Sequence, residues 1–93
     1  MNKVTLVDFY ADWCGACKAQ DPILAELERD MGNKVDIIKI SLAENKAMFD
    51  EFKIDATPTL FVIKDNNIFK KYVGVTSRNE LESAINGASM LNA

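Results

Sequence analysis

The sequence has no histidine, one tryptophan, two prolines and four glycines. Without histidine it lacks the side chain that most often serves as a neutral-pH base or metal ligand, and two cysteines could form a zinc site only if it were shared between two chains. The prolines and glycines are scattered, so there is no linker or low-complexity tract. Long apolar runs are missing too. The run Leu60-Phe61-Val62-Ile63 is far short of the roughly 18 residues a membrane-crossing helix needs. Nor is there an excess of basic residues. Eleven Lys and Arg against fourteen Asp and Glu leave a net charge of −3, the wrong sign for a surface that neutralises phosphates, so nucleic acid is not expected as a partner. At the start of the chain, Asp8 stands where a secretory signal would need its apolar stretch, and the expected compartment is the cytoplasm. Thiols are kept reduced there, which makes the two cysteines better candidates for redox or metal chemistry than for a structural staple.

The 93 residues are expected to form one domain, 1–93, around a single core. Residues 3 to 10 are apolar except for Lys3, Thr5 and Asp8, as in a strand buried on both faces of a sheet. Over residues 15 to 31 the period becomes helical: Ile23, Leu24, Leu27 and Met31 share one stripe, Gly32-Asn33 supplies a stop, and Pro22 predicts a kink. Val35 to Ile40 reads as a second strand, and a helical crossover between two apolar strands is the mark of a parallel βαβ unit. Residues 44 to 53 read as a short helix with Met48, Phe49 and Phe52 toward the core, opened by Ser41 and Glu44 as a capping box. Thr59–Lys64 and Ile68–Val73 are strands of an antiparallel hairpin, because Asp65-Asn66-Asn67 tolerate left-handed turn conformations. Ser77 and Glu80 have capping-box spacing before the stripe Leu81, Ala84 and Ile85, with Gly87 as the helix stop. The order βαβαββα predicts an α/β fold with a four-stranded mixed sheet and helices on both faces.

The chemistry is concentrated in Trp13-Cys14-Gly15-Ala16-Cys17-Lys18. If the strand ends near Tyr10 and the helix begins near Cys14, the two cysteines fall one turn apart on the same side and their sulfurs can meet. Unpaired N–H groups and the positive end of the helix dipole would stabilise Cys14 as a thiolate, below the ordinary thiol pKa of about 8.5. Cys14 would then attack a substrate disulfide to form a mixed disulfide. Cys17 would resolve it, releasing the reduced substrate and leaving the Cys14–Cys17 disulfide. The exchange needs no cofactor, since the electrons reside in the sulfur pair.

At this point the sequence resembles the thioredoxin family. The resemblance is carried by Val7-Asp8-Phe9-Tyr10-Ala11-Asp12-Trp13-Cys14-Gly15-Ala16-Cys17-Lys18, Asp21-Pro22-Ile23-Leu24, Ala56-Thr57-Pro58-Thr59-Leu60 and Val73-Gly74. It implies a thioredoxin-like fold, protein-disulfide reduction, protein disulfides as substrates, a thioredoxin-reductase-like electron donor and action as a monomer. Pro58 matches the family's cis-proline beside the cysteines, and Thr57 a residue whose backbone pairs with an extended substrate. Gly74 matches a glycine that admits a partner's backbone, and Trp13 an aromatic of the docking surface. Gly15 and Ala16 complete the substrate-binding set. Asp8 matches a buried acid that exchanges a proton with Cys17; desolvation should raise its pKa, and Lys39 on the neighbouring strand is its expected partner.

The sequence departs from the family pattern in two respects. Ala16 stands where the family usually has proline, and the backbone N–H it restores can help solvate the Cys14 thiolate, so the couple is expected to be less reducing than a typical thioredoxin. The chain also begins at what resembles the family's second strand, so the usual N-terminal strand and helix are expected to be missing and one sheet edge exposed. That shorter plan is similar to glutaredoxins as well. A glutathione-dependent oxidoreductase is therefore one alternative, although Gly74-Val75-Thr76-Ser77 lacks the Gly-Gly and acid of a glutathione site. Others are a redox-silent binding module that docks through Trp13, Thr57-Pro58 and Gly74, and a copper(I) carrier.

Overall fold

The computed structural model describes residues 3–91. The element order is β1 (Val4–Tyr10), α1 (Gly15–Met31), β2 (Val35–Ser41), α2 (Lys46–Glu51), β3 (Thr59–Lys64), β4 (Asn67–Val73) and α3 (Arg78–Ser89). Among the described residues these strands form one four-stranded sheet in the order β2-β1-β3-β4. β1 runs parallel to β2 and antiparallel to β3, and β3 runs antiparallel to β4. This is the expected βαβαββα mixed sheet. β2 lies at one edge.

Alternation along β1 divides the apolar residues between two layers. Val4 and Leu6 pack with Leu24, Leu27 and Met31 of α1, with Leu81, Ala84, Ile85 and Ala88 of α3, and with Leu60 and Val62 of β3. Val7 and Phe9 face the opposite way and pack with Phe49 and Phe61. The Phe9 ring meets Phe49 and Phe61 edge-on, at centroid distances of 5.2 and 5.6 Å. Asp8, two residues beyond Leu6, falls on the α1 side by the same alternation.

The expected ends of the elements hold in most places. α1 contains Pro22 and stops at Met31, and the Cβ of any other residue at Gly32 would stand 2.7 Å from the Glu28 carbonyl oxygen. The β3–β4 turn puts Asp65 and Asn66 in the left-handed region, at φ 53° and 66°, while Asn67 joins β4 opposite Lys64. Ser77 caps α3 by accepting the Glu80 N–H at 3.2 Å.

Two elements differ from the sequence reading. α2 is only six residues long and begins after Asn45. The Ser41 hydroxyl does accept the Glu44 N–H, but in the turn before the helix, so no capping box opens it. Phe49 is buried and the Phe52 ring packs against Phe9 and Phe61, as expected, while so short a helix leaves Met48 36% and Phe52 39% exposed. The chain leaves α2 through Lys53 at φ 57°, with the Ile54 N–H donating to the Phe49 carbonyl. The second difference is at Gly87, which does not end α3. The helix continues to Ser89 because Ala88 is fully buried and the Lys64 ammonium donates to the Ala88 and Leu91 carbonyls, a cation placed at the negative end of the helix.

Candidate active site

Cys14 has extended backbone, φ −95° and ψ 110°, and occupies the N-cap position of α1. In place of the usual hydroxyl or carboxylate, its Sγ accepts the Cys17 N–H at 3.1 Å. The first turn of α1 contains no acidic residue, so nothing there offsets the positive end of the helix. One turn on, Cys17 forms a disulfide with Cys14, with their Cα atoms 5.2 Å apart. Both cysteines are buried, packed with Ala11 and against Tyr10, Ala16 and Leu42.

The loop before β3 supplies the facing wall. The Thr57–Pro58 peptide bond is cis, and the Thr57 carbonyl oxygen lies 3.4 Å from Cys14 Sγ. Gly74, at φ 93°, donates its N–H to the Pro58 carbonyl at 2.8 Å. A Cβ at Gly74 would meet nothing within 4 Å, so the residue opens onto free space and glycine is needed there for its backbone angle. Trp13, next to the disulfide in sequence, is 77% exposed. The structure therefore brings Cys14, Cys17, Thr57, Pro58 and Gly74 together, with Trp13, Gly15 and Ala16 on the helix side.

Asp8 is fully buried, and neither carboxyl oxygen has a hydrogen-bond partner among the described residues. Its pKa is pushed up to about 6. Burial is the main cause; the Lys39 charge opposes the rise and the Asp21 charge adds to it. Lys39 is opposite Asp8 in the β1–β2 register, as expected. It acts on Asp8 through its charge, while its hydrogen bond goes elsewhere. Nζ donates to Oδ1 of Asp21 at 2.7 Å and sits 4.7 Å from the centre of the Tyr10 ring. Burial works against the Lys39 ammonium, but the Asp21 hydrogen bond and the charges of Asp21 and Asp8 outweigh it and raise its pKa.

Sequence reasoning assigned no role to several residues of this region. Gln20 is fully buried and bridges α1 to the segment after β4: its amide donates to the Thr76 carbonyl at 3.0 Å and accepts the Thr76 N–H at 2.7 Å. A signal for it existed, because Cys17, Gln20, Leu24, Leu27 and Met31 lie on one buried helical stripe. Val73 and Val75 flank Gly74 and are exposed. Asp21 carried no such signal, since its partner is 18 residues away on another element.

Comparison with known proteins agrees with this geometry. The thioredoxin family model matches residues 1–87. Over 83 residues the chain is 39% identical to a thioredoxin of Bacillus subtilis, covering 89% of this chain and 80% of that one. Over 82 residues it is 40% identical to a thioredoxin of Staphylococcus haemolyticus, covering 88% and 79%. Among solved structures, a thioredoxin variant from Halobacterium salinarum superimposes with a TM-score of 0.87 at 30% identity, covering 99% of this chain and 80% of that one. A thioredoxin from Nicotiana alata gives 0.85 at 33%, covering 95% and 75%. With a redox-active cysteine pair at the head of α1 and these matches along most of its length, the chain belongs to the thioredoxin family and is a thioredoxin-type thiol–disulfide oxidoreductase.

Proposed function

We propose that Cys14 is the attacking thiol, Cys17 the resolving thiol and Asp8 the base that takes the Cys17 proton, and that the clients are protein disulfides. The Cys14 thiolate attacks one client sulfur, forming the Cys14–client bond and expelling the other as a thiolate. The Cys17 thiol gives its proton to Asp8, and its sulfur attacks Cys14 Sγ. The Cys14–client bond breaks, the second client sulfur leaves as a thiolate, and two electrons have passed to the client; the proton held on Asp8 is returned when the cysteine pair is next reduced. The observation that carries this reading is the Cys17 N–H at 3.1 Å from Cys14 Sγ, a donor already aimed at the sulfur that must hold negative charge.

Thr57, Pro58 and Gly74 line the groove for an extended client segment, with Trp13, Gly15 and Ala16 on its other side. The missing N–H of Pro58 and the open space over Gly74 suit close backbone approach. Lys39 acts on Asp8 through its charge. A disulfide reductase returns the oxidised pair to the dithiol, and the 93 residues work as a single, monomeric domain. Among the described residues no helix is long and apolar enough to cross a membrane; the cytoplasmic setting rests on the two cysteines, which a reducing compartment would keep available for exchange. Insulin-disulfide reduction tests the assignment: Cys14→Ser should abolish it, while Cys17→Ser should accumulate covalent protein adducts on Cys14. Turnover by Cys14→Ser would end the reading.

A further inference from the structure

We propose that Asp21 is a positioning residue for the resolving step: by holding the Lys39 ammonium against α1, it keeps that cation off the Asp8 carboxyl. The proposal rests on the reading of Asp8 as the base for Cys17. Lys39 stands directly opposite Asp8 in the strand register, so the two side chains share one face of the sheet. A buried acid beside a reachable ammonium would ordinarily bond it. Here it does not. Nζ is bound to Asp21 at 2.7 Å and rests over the Tyr10 ring, while both Asp8 oxygens lack a hydrogen-bond partner among the described residues.

The competition has a physical direction. Asp21 is half-exposed and carries its charge in contact with solvent, whereas an Asp8–Lys39 pair would have to form where Asp8 has no solvent contact, at a desolvation cost to both ions. The charged groups that act on Asp8 are Lys39 from β2 and Asp21 from α1. On the reading of Asp8 as the base for Cys17, the Cys17 thiol on α1 joins them after reduction, and the Tyr10 ring lies beside the Lys39 ammonium. β3 contributes apolar Leu60, and α3 presents Leu81, Ala84, Ile85 and Ala88 to the same layer. A carboxylate bonded to an ammonium is a weaker base. Asp21 takes no part in the sulfur chemistry, yet it sets how readily Asp8 accepts the proton from Cys17.

Two measurements on the full chain test this. One is the carboxyl-carbon NMR titration of Asp8 in the disulfide form. The other is the pH profile of stopped-flow release of a chromogenic aromatic thiol from its mixed disulfide with Cys14, which reads attack by Cys17. Asp21→Asn should move both midpoints down by on the order of one pH unit, and Asp21→Glu should restore them. In a Lys39→Gln background the shift caused by Asp21→Asn should shrink clearly, because only the direct charge of Asp21 is then lost. Unchanged midpoints in Asp21→Asn, or an equal shift with Lys39 removed, would overturn the proposal. Asp8→Asn separates this from the reading beneath it. If that variant keeps the wild-type release profile, Asp8 is not the base, while the carboxyl titration still reports whether Asp21 holds Lys39 away.

Discussion

A carboxyl with no solvent contact, and with no hydrogen bond among the described residues, is easier to keep protonated than charged, and for Asp8 this couples stability to pH. The side chain titrates near 3.8 when unfolded and at about 6 in the folded chain. The folded state therefore holds the proton more tightly. The stability that proton contributes is fully present below 3.8 and is lost as pH rises through about 6. Above that, burial of the anion costs roughly 3 kcal/mol. Asp8→Asn should thus raise the unfolding free energy of the disulfide form by up to about 3 kcal/mol near pH 8, with the gain gone below about pH 4. Denaturant melts at the two pH values check it. The burial of Asp8 was legible, because a strand with apolar residues on both faces leaves an acid in its middle no route to water. The Lys39 bond was not. Strand spacing identifies which residues stand opposite one another, but not which of two nearby anions a flexible ammonium will choose.

At the scale of elements, the Gln20–Thr76 pair joins α1 to the segment that carries Gly74. Gln20→Ala would leave the buried Thr76 N–H and C=O without these partners, so a loss of roughly 2–4 kcal/mol is expected. Faster amide exchange at Thr76 in that variant would localise the damage. Local chemistry made some element ends readable: Ser77 is a strong N-cap, and Asp65-Asn66 accept positive φ at little cost. Others depend on distant residues. Nothing near Gly87 signals that Lys64, more than twenty residues earlier, will extend α3 past it. Lys53, at φ 57°, closes α2 with a residue type that rarely adopts this angle, so its identity carried no warning of the turn.

Across the whole molecule, the larger of the two apolar layers lies between the sheet and the pair α1 and α3. Leu27 is fully buried there, and Leu27→Ala should cost about 2–5 kcal/mol. Arg78 binds Glu26 and Asp30 across the surface between the same helices, yet Arg78→Ala should cost less than Leu27→Ala, because ion pairs this close to solvent gain little over water. Thermal melts of the two variants give the comparison. This layering was readable from the apolar periods alone, whereas the site needed the cysteine spacing together with the distant Thr57-Pro58 and Gly74. The hydrogen bonds from Gln20 to Thr76 and from Gly74 to Pro58 also mean that the three segments around the sulfurs are fastened before any encounter. Such a rim does not mould itself to a visitor. The freedom lost on association is then surrendered almost entirely by the visiting chain. On the proposed reading of the clients as protein disulfides, a cystine in a slack or half-melted stretch should therefore be served faster than one clamped inside a sound fold.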